Sequence, residues 1–151
     1  MSDRTRIAMT EDEVSSLVAE QRKLQLGTMN PDGTPHLVTM FYAMVDDKIA
    51  FWTYRASQKA RNIERDPRVT CLIEAGEDYF ELRGALIYGN AKVLTEQNEV
   101  RYVGAEVVRR MMDLEDDAVT PFVEHTAAKR HAYIVEPVRV ASWDHHKLAG
   151  N

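Results

Sequence analysis

The sequence predicts a mainly β, α+β protein: six antiparallel strands that curve toward a barrel, with flanking helices. Three observations predict this fold class. Strand-like runs follow one another through tight turns, which favours antiparallel hairpins. Gly84 and Gly89 interrupt one long strand region, as is typical of bends or bulges where a sheet curves. Two helical stretches, at about residues 96–113 and 117–129, precede the last strand.

Two turns organise the first half of the chain. Pro31-Asp32-Gly33 is a turn sequence between a strand at residues 24–29 and a long strand through residues 36–45. Asp46-Asp47-Lys48 then leads into a third strand. The remaining strands complete the predicted set of six, which lies at residues 24–29, 36–45, 49–54, 69–75, 79–94 and 131–142.

Both faces of the second strand are largely apolar. Alternation places Val38, Met40 and Tyr42 on one face with His36, and Leu37, Thr39 and Phe41 on the other. A strand buried on both sides needs two covers. One is the barrel core, and the other is a cofactor ring, a second subunit or simply a helix of the same chain.

A capping box opens the first helix. Thr10 is followed by Glu13, and Val14, Leu17 and Val18 then recur at helical spacing. We expect this helix to cover the barrel.

The most informative segment is residues 48–68, where a strand leads directly into a short basic helix. The strand ends in Trp52-Thr53-Tyr54, and after Arg55-Ala56 the helix begins at Ser57. Ser57 can cap the helix, so the free N–H groups and the positive dipole end of the first turn face an anion, with Lys59 and Arg61 adding charge. The segment therefore predicts a phosphate-binding site, the alternative being an ordinary solvated amphipathic helix.

This order of elements resembles a known family. A hairpin with an Asp-Gly turn, a strand ending Trp-Thr-Tyr, then Ser-x-Lys and a helix closing at Asp66-Pro67 resembles the flavin-binding split β-barrels related to pyridoxamine 5'-phosphate oxidase. The ending Ser142-Trp143-Asp144 is similar to the closing strand of the flavin/deazaflavin oxidoreductase branch, many of whose members bind coenzyme F420. The chain lacks the longer length and the Arg-Leu-x-Pro type ending of true pyridoxamine phosphate oxidases, so vitamin B6 chemistry is not expected.

The resemblance implies a split barrel and a set of cofactor-binding residues. Thr39 and Met40 are expected beside the ring through backbone contacts. Three residues of the third strand are expected along the ribityl chain, and the start of the following helix is expected on the phosphate. The expected set is Thr39, Met40, Trp52, Thr53, Tyr54, Ser57, Lys59, Arg61 and Asn62. For Arg61 the alternative is a surface ion pair with Glu64 or Glu81.

The resemblance also suggests roles for residues outside this set. Tyr79 and Arg83 are candidates to reach the cofactor of a neighbouring subunit, because the resemblance implies a homodimer with cofactor at the interface. Trp143 and Lys147 are assigned to the ring pocket or the dimer rim, and Trp143 equally to a core anchor.

The implied function is an F420H2-dependent reductase that passes a hydride from the deazaflavin to an electron-poor small molecule. No catalytic side chain follows, and the proton comes from solvent or from a hydroxyl such as that of Tyr54 or Tyr79. One alternative is an FMN-binding oxidase or reductase. The other is a non-catalytic flavin- or deazaflavin-binding protein.

Composition sets the remaining expectations. The length of 151 residues and the 44% hydrophobic content predict one domain, residues 1–151, and the net charge of −5 disfavours nucleic acid as a partner. No window approaches the roughly 18 to 20 apolar residues of a membrane span, and residues 1–6 do not resemble a signal peptide, so a cytoplasmic protein is expected.

Other common site types are not indicated. Cys71 lies in a strand pattern and is expected to fill core space. Asp144-His145-His146 lacks a third ligand at a recognisable spacing, so a solvated terminal turn is preferred to a metal site. The sequence has no dinucleotide-binding glycine motif, phosphate-binding Walker loop or nucleophile elbow.

Overall fold

The computed structural model describes residues 2–149; Met1, Gly150 and Asn151, which belong to the expected single domain, lie outside the described residues. Short 3₁₀ turns occur at Tyr79–Glu81, Ala127–Lys129 and His145–Leu148. The helices are α1 (Asp3–Arg6), α2 (Glu11–Glu20), α3 (Gln58–Arg65), α4 (Gln97–Met112) and α5 (Asp116–Thr126). The strands are β1 (Lys23–Met29), β2 (Pro35–Phe41), β3 (Ala43–Val45), β4 (Lys48–Tyr54), β5 (Arg68–Ala75), β6 (Arg83–Leu94) and β7 (Arg130–Asp144).

All described strands form one antiparallel sheet that curls into a half-barrel. Its order is β2-β1-β5-β6-β7-β4-β3, so the β1–β2, β3–β4 and β5–β6 neighbours are consecutive along the chain. The predicted fold class is confirmed. The strand count differs, with seven strands rather than six.

The extra strand arises because the long run at residues 36–45 is broken at Tyr42. The Tyr42 side chain is fully buried, its hydroxyl donates to the Val18 carbonyl at 2.6 Å, and its N–H donates to the Arg22 carbonyl at 3.2 Å. The Tyr42–Arg22 bond continues the β1–β2 register by one position, since Lys23 lies opposite Phe41, and from Ala43 onward the partner strand is β4. The chain therefore leaves β2 and begins β3 on the other edge of the sheet.

The two predicted turns are confirmed, and each has a local cause. Gly33 has φ of +85°, and the Asp32 carboxylate accepts from the Thr34 N–H at 3.0 Å, which closes the β1–β2 connection. Asp46 and Asp47 both have positive φ, 51° and 63°, which matches the twist required by a two-residue β3–β4 hairpin.

The predicted strand at residues 79–94 is wrong over its first part. Tyr79–Glu81 forms a 3₁₀ turn, and β6 begins at Arg83. The two glycines of this strand also differ in role. Gly89 lies at a shift in the β6–β7 register, as the predicted bulge requires, whereas Gly84 gives room to Trp143, whose ring would be 2.4 Å from an added Cβ.

Two hydrophobic cores lie on opposite sides of the sheet. The first fills the concave side beneath α2 and includes Leu17, Leu24, Leu26, Phe51, Cys71, Ile73 and Tyr133. The second lies between β3, β4 and β7 and helices α4 and α5, and includes Trp52, Val100, Val103, Val107, Val108, Val119 and Val123.

Helix α2 covers the concave core, as the sequence predicts. Its capping box is present, with the Thr10 hydroxyl accepting from the Glu13 N–H at 3.1 Å. At its other end the Arg110 guanidinium donates to the carbonyls of Val18 and Ala19 at 3.3 Å, and also to that of Gln21. These bonds satisfy carbonyls that the helix end leaves open, and they join α2 to α4.

The last elements lie close to their predicted positions. Helix α4 has Glu96 as its N-cap, and Asp113 ends it in the left-handed conformation, φ 53°. Helix α5 ends at Thr126, where a 3₁₀ turn continues to Lys129, and β7 extends two residues beyond the predicted end to Asp144. Among residues 2–149, no helix is both long and apolar enough to cross a membrane.

The contact between α4 and β4 generates a stability prediction. An alanine in a helix interior is normally more stable than glycine by about 1 kcal/mol. At Gly104, however, an added Cβ would lie 2.5 Å from the Trp52 ring. We expect Gly104→Ala to lower the free energy of unfolding, because overpacking of about 1–3 kcal/mol exceeds the propensity gain.

Urea denaturation measures this change. Trp52→Phe is the matched background, since removing the larger ring should make Gly104→Ala less costly there than in the wild type. A stabilised single variant would contradict the proposed contact.

Candidate functional site

Ser57 and Lys59, two residues of the predicted anion site, lie at the N-terminus of α3. The Ser57 side chain caps the helix by accepting from the Ala60 N–H at 3.3 Å, and the Ser57 carbonyl accepts from Arg61 at 3.1 Å. The N–H groups of Gln58 and Lys59 have no partner within residues 2–149. Two donors and the positive end of the helix dipole therefore face outward together.

Lys59 is a half-buried cation at this helix end. No carboxylate of the described chain lies within ion-pair distance of it. Burial, and secondarily the positive charge of Arg130, lower the pKa of Lys59. A bound anion would offset both effects by stabilising the charged ammonium, so this lysine is suited to an anionic ligand.

Arg130 lies over the aromatic residues of β4. Its guanidinium carbon is 4.0 Å from the centre of the Tyr54 ring and 4.4 Å from that of Trp52. Its Nε donates to the Thr126 hydroxyl at 3.1 Å. A cation–π contact of this kind holds the guanidinium in place without neutralising it.

The three predicted residues of β4 differ in accessibility. Trp52 and Thr53 are 6% and 3% exposed, whereas Tyr54 is 46% exposed. Trp52 is an anchor of the second core, packed against Gly104. Of these three residues, only Tyr54 therefore has a side chain available at the surface. It lies next to the capped helix, because its carbonyl accepts from the Ser57 N–H at 3.0 Å.

Asn62 is placed in the interior instead of in the anion site. Its side chain is fully buried, and its amide nitrogen donates to the Thr28 hydroxyl and to the Asn30 side-chain oxygen, both at 3.0 Å. Its oxygen accepts from Gln58 at 2.8 Å and from Arg65 at 3.3 Å. An amide makes about four such bonds, so Asn62 positions α3 on the β1–β2 hairpin and retains no free bonding capacity for a ligand.

The basic residues of the segment divide into two groups. Arg65 donates to the Met29 carbonyl, and Arg68 pairs with Asp66 at 2.7 Å, so both serve the fold. Arg55 and Arg61 are exposed. The alternative ion pair of Arg61 with Glu64 or Glu81 does not form in the described chain.

Strand β2 places the two ring-side residues on opposite faces. Met40 faces the first core and is half-buried, while Thr39 faces outward and donates to Gln25 at 2.9 Å. Leu37 is 71% and Phe41 37% exposed, so no helix of the described chain covers the outer face of β2, and a cofactor ring or a second subunit stays the predicted cover.

The residues suggested outside the expected set have structural partners within the chain. Lys147 is 2.9 Å from the Glu13 carboxylate, and it donates to the Ala8 carbonyl. Arg83 pairs with Glu20 at 3.0 Å, on α2. Trp143 packs on Gly84.

The terminal histidines and the cysteine are similarly placed. The Nδ1 of His146 lies 2.7 Å from the Asp144 carboxylate. The Nδ1 of His145 lies 2.6 Å from the backbone carbonyl of Tyr79, a residue whose side chain is exposed. No cluster of three metal-ligating side chains occurs in the part of the chain that the structure describes. Cys71 is fully buried, and burial raises the pKa of its thiol to about 12, so a reactive thiolate is disfavoured.

Sequence reasoning missed Arg130. The residue is 71 positions after Lys59 in the chain, and it reaches the site because β7 pairs with β4 in a register that sets Arg130 opposite Tyr54. A pairing of this kind has no local signal. The only available hint was a basic pair, Lys129-Arg130, at the start of a strand.

Comparison with known proteins supports the architecture. The family model of pyridoxamine 5'-phosphate oxidase matches residues 10–144. A conserved hypothetical protein from Mycobacterium tuberculosis is 38% identical, with a TM-score of 0.90 over 99% of this chain and 93% of that one. No curated protein matches the sequence.

Two more distant solved structures share the fold alone. An F420 reductase is 22% identical, with a TM-score of 0.68 over 87% of this chain and 98% of that chain. A heme storage protein from Vibrio cholerae is 15% identical, with a TM-score of 0.66 over 89% and 96% of the two chains.

The role of Asn62 generates the next prediction. Asn62→Ala should lower the free energy of unfolding by about 1–3 kcal/mol, because it leaves buried polar partners unsatisfied. Arg61→Ala is the matched control on the same helix, and as an exposed substitution it should change stability by no more than about 0.5 kcal/mol. Urea unfolding of both variants checks this, and equal effects would contradict the assignment.

Proposed function

Because the chain belongs to the pyridoxamine 5'-phosphate oxidase family, we propose that it is a cofactor-dependent oxidoreductase that uses coenzyme F420. In this proposal the reduced deazaflavin is the hydride source for an electron-poor small molecule. The anion cradle, defined as the N-terminus of α3 from Ser57 to Lys59, holds the cofactor phosphate. FMN is the alternative cofactor, because a phosphate site of this type serves either molecule.

The observation that carries the proposal is the chemistry of this cradle. The cradle combines a capped helix N-terminus with two backbone N–H groups that have no partner in the described chain. It also holds Lys59, which has no carboxylate of residues 2–149 within ion-pair distance. Such a site fits the anionic group of a cofactor. Ser57 acts by fixing the first turn, so its contribution is positional as well as direct.

The remainder of the cofactor would extend away from the cradle along the chain's surface. Tyr54 is the exposed residue next to the cradle and is suited to contact the ribityl part. Thr39 and Met40 remain the proposed ring-side residues, acting through backbone groups of the edge strand β2. Trp52 and Thr53, both buried, would support this surface from below.

The chain supplies binding and orientation, and we assign no catalytic side chain. When bound, a reduced flavin or deazaflavin supplies the hydride. Tyr54 and Tyr79 are exposed phenols that could deliver a proton, and solvent is the other source. A substitution in the cradle should consequently change affinity more than turnover.

A homodimer is part of the proposal. The outer face of β2 presents Leu37 and Phe41 to solvent, and Val138 on β7 is 69% exposed on the same sheet. Exposed apolar side chains grouped on one sheet face are typical of an interaction surface. A second copy on this face would cover β2 and complete the ring side of the site, since closed two-fold dimers are the commonest assemblies.

The binding test is a titration of the purified, cofactor-free protein with F420 and with FMN, followed by fluorescence quenching. Preferential binding of F420 is expected, and a reductase then oxidises F420H2 in the presence of electron-poor acceptors. Preference for FMN would favour the FMN-dependent alternative. Binding without turnover of any acceptor would favour a carrier, and binding of neither cofactor would overturn the proposal.

Two variants test the cradle. Lys59→Ala should weaken cofactor binding about ten- to hundredfold, because a charge-assisted hydrogen bond contributes about 1.5–3 kcal/mol. Ser57→Ala should weaken it less, through loss of the cap. Lys92→Ala is the matched control, since Lys92 is an exposed lysine on β6 and the same charge is removed.

Turnover of the saturated variants should remain near the wild-type value, because in this proposal the cradle binds the phosphate and takes no part in the transfer of the hydride from the ring. Unchanged cofactor affinity in both cradle variants would contradict the phosphate assignment.

The interface prediction concerns Leu37. Leu37→Glu should produce monomers and weaken cofactor binding, because a charge is costly to bury in an apolar contact. Sedimentation velocity measures the assembly state. Tyr102→Glu on α4, a comparably exposed position at 56%, is the control expected to leave the dimer intact; dissociation by the control alone would place the interface elsewhere.

A further inference from the structure

Arg130 is held more firmly than an ordinary surface arginine. It is the first residue of β7 and pairs in register with Tyr54, so the two side chains share one face of the sheet. Its guanidinium contacts the rings of Tyr54 and Trp52 at 4.0 and 4.4 Å, and the Thr126 hydroxyl accepts from its Nε at 3.1 Å. A long, flexible side chain is thereby restricted to one position.

The rings that hold Arg130 are themselves fixed. Trp52 is 6% exposed and packs against Gly104 of α4, where the close contact leaves no room for a Cβ. Tyr54 ends β4, and its carbonyl is bonded to the N–H of Ser57, the cap of α3. The position of Arg130 is therefore coupled to the same helix end that forms the cradle.

The charge of Arg130 has no acidic partner. Among residues 2–149 no carboxylate lies within ion-pair distance of Arg130 or of Lys59, although acidic residues outnumber basic ones in the chain, 24 to 19. The two cations are close enough for Arg130 to disfavour the charged form of Lys59. Two neighbouring cations without an acid cost free energy in the free protein, and an anion between them would offset that cost.

We infer that Arg130 is the second cation of the anion cradle, and that its stacked guanidinium binds the cofactor phosphate together with Lys59 and the N-terminus of α3. This inference rests on the proposed function and deepens it by adding a residue on a different strand. A planar guanidinium bonds two phosphate oxygens at once, whereas an ammonium acts as a point charge. The stacking on Tyr54 and Trp52 prepares the guanidinium for that geometry before the ligand arrives.

The test separates phosphate recognition from general stability. Dissociation constants are measured for FMN and riboflavin, and the phosphate ratio is the riboflavin constant divided by the FMN constant. In parallel, F420 is compared with its riboside, which lacks the phosphate together with the tail attached to it. In Arg130→Ala the phosphate ratio should fall about tenfold or more, because FMN loses a charge-assisted contact and binds more weakly. The affinity for riboflavin should stay near the wild-type value. Arg130→Lys should restore part of the ratio, because charge returns without the planar fork.

Positioning by the Tyr54 ring is tested separately. Tyr54→Phe keeps the ring and should keep the phosphate ratio, whereas Tyr54→Leu removes it and should lower the ratio. Arg101→Ala is the control for charge, since it removes a half-buried arginine of α4 that pairs with Glu124 at 2.9 Å. That control should leave the ratio unchanged.

Pyrophosphate supplies a probe that does not depend on the ring. Its binding, measured by calorimetry, should be saturable in the wild type and weakened about tenfold in Arg130→Ala. Pyrophosphate binding without binding of any flavin would overturn the proposed cofactor and leave the role of Arg130 standing. An unchanged phosphate ratio, an equal loss for phosphate-bearing and phosphate-free ligands, or no pyrophosphate binding would each overturn the inference.

Discussion

The buried amide of Asn62 is the interaction on which the candidate site depends. It is the fully buried side chain on α3 that bonds to β1 and to the hairpin turn, through Thr28 and Asn30. Because an unsatisfied buried amide is costly, only one placement of α3 satisfies all of its bonds. That placement determines where the free N–H groups at the other end of the helix are directed. A polar residue in the core thus sets the geometry of a surface site about one helical turn away.

The same placement explains why charge accumulates at the cradle without neutralisation. At the C-terminal end of α3, Arg65 donates to the Met29 carbonyl and Arg68 pairs with Asp66. At the N-terminal end, Lys59 and Arg130 have no carboxylate within ion-pair distance in the described chain. Aromatic faces hold Arg130 where a carboxylate would otherwise be needed. The rings hold the guanidinium without using its donors, and because among residues 2–149 only its Nε is bonded, to Thr126, its two terminal nitrogens stay available to an anion.

The sequence predicted the features that have local causes. The Asp32-Gly33 turn, the Asp46-Asp47 turn, the Thr10 capping box and the Ser57 cap each depend on residues within four positions of one another. The missed features depend on residues distant in the chain. The change of partner strand at Tyr42, from β1 to β4, depends on the order of the whole sheet. The interior placement of Asn62 requires β1, and the presence of Arg130 requires the β4–β7 register. The side-chain types identified an anion site, but only the tertiary structure distinguishes the residues that face the ligand from those that hold the helix.

The two ends of the proposed cofactor site differ in how firmly they are built. The anion end rests on a capped helix, a buried amide and a stacked arginine, which are anchored to the internal strands β1, β4 and β7. The ring end rests on β2, an edge strand whose outer face is open in the single chain. A preorganised end supplies affinity for any ligand with a matching group, because little ordering cost remains. Selectivity between the flavin and the deazaflavin ring must then arise at the ring end of the site, which is formed by β2 and by the element that covers its outer face. On this reasoning, changes at Lys59 or Arg130 affect FMN and F420 alike, whereas changes on the outer face of β2 alter the preference between them.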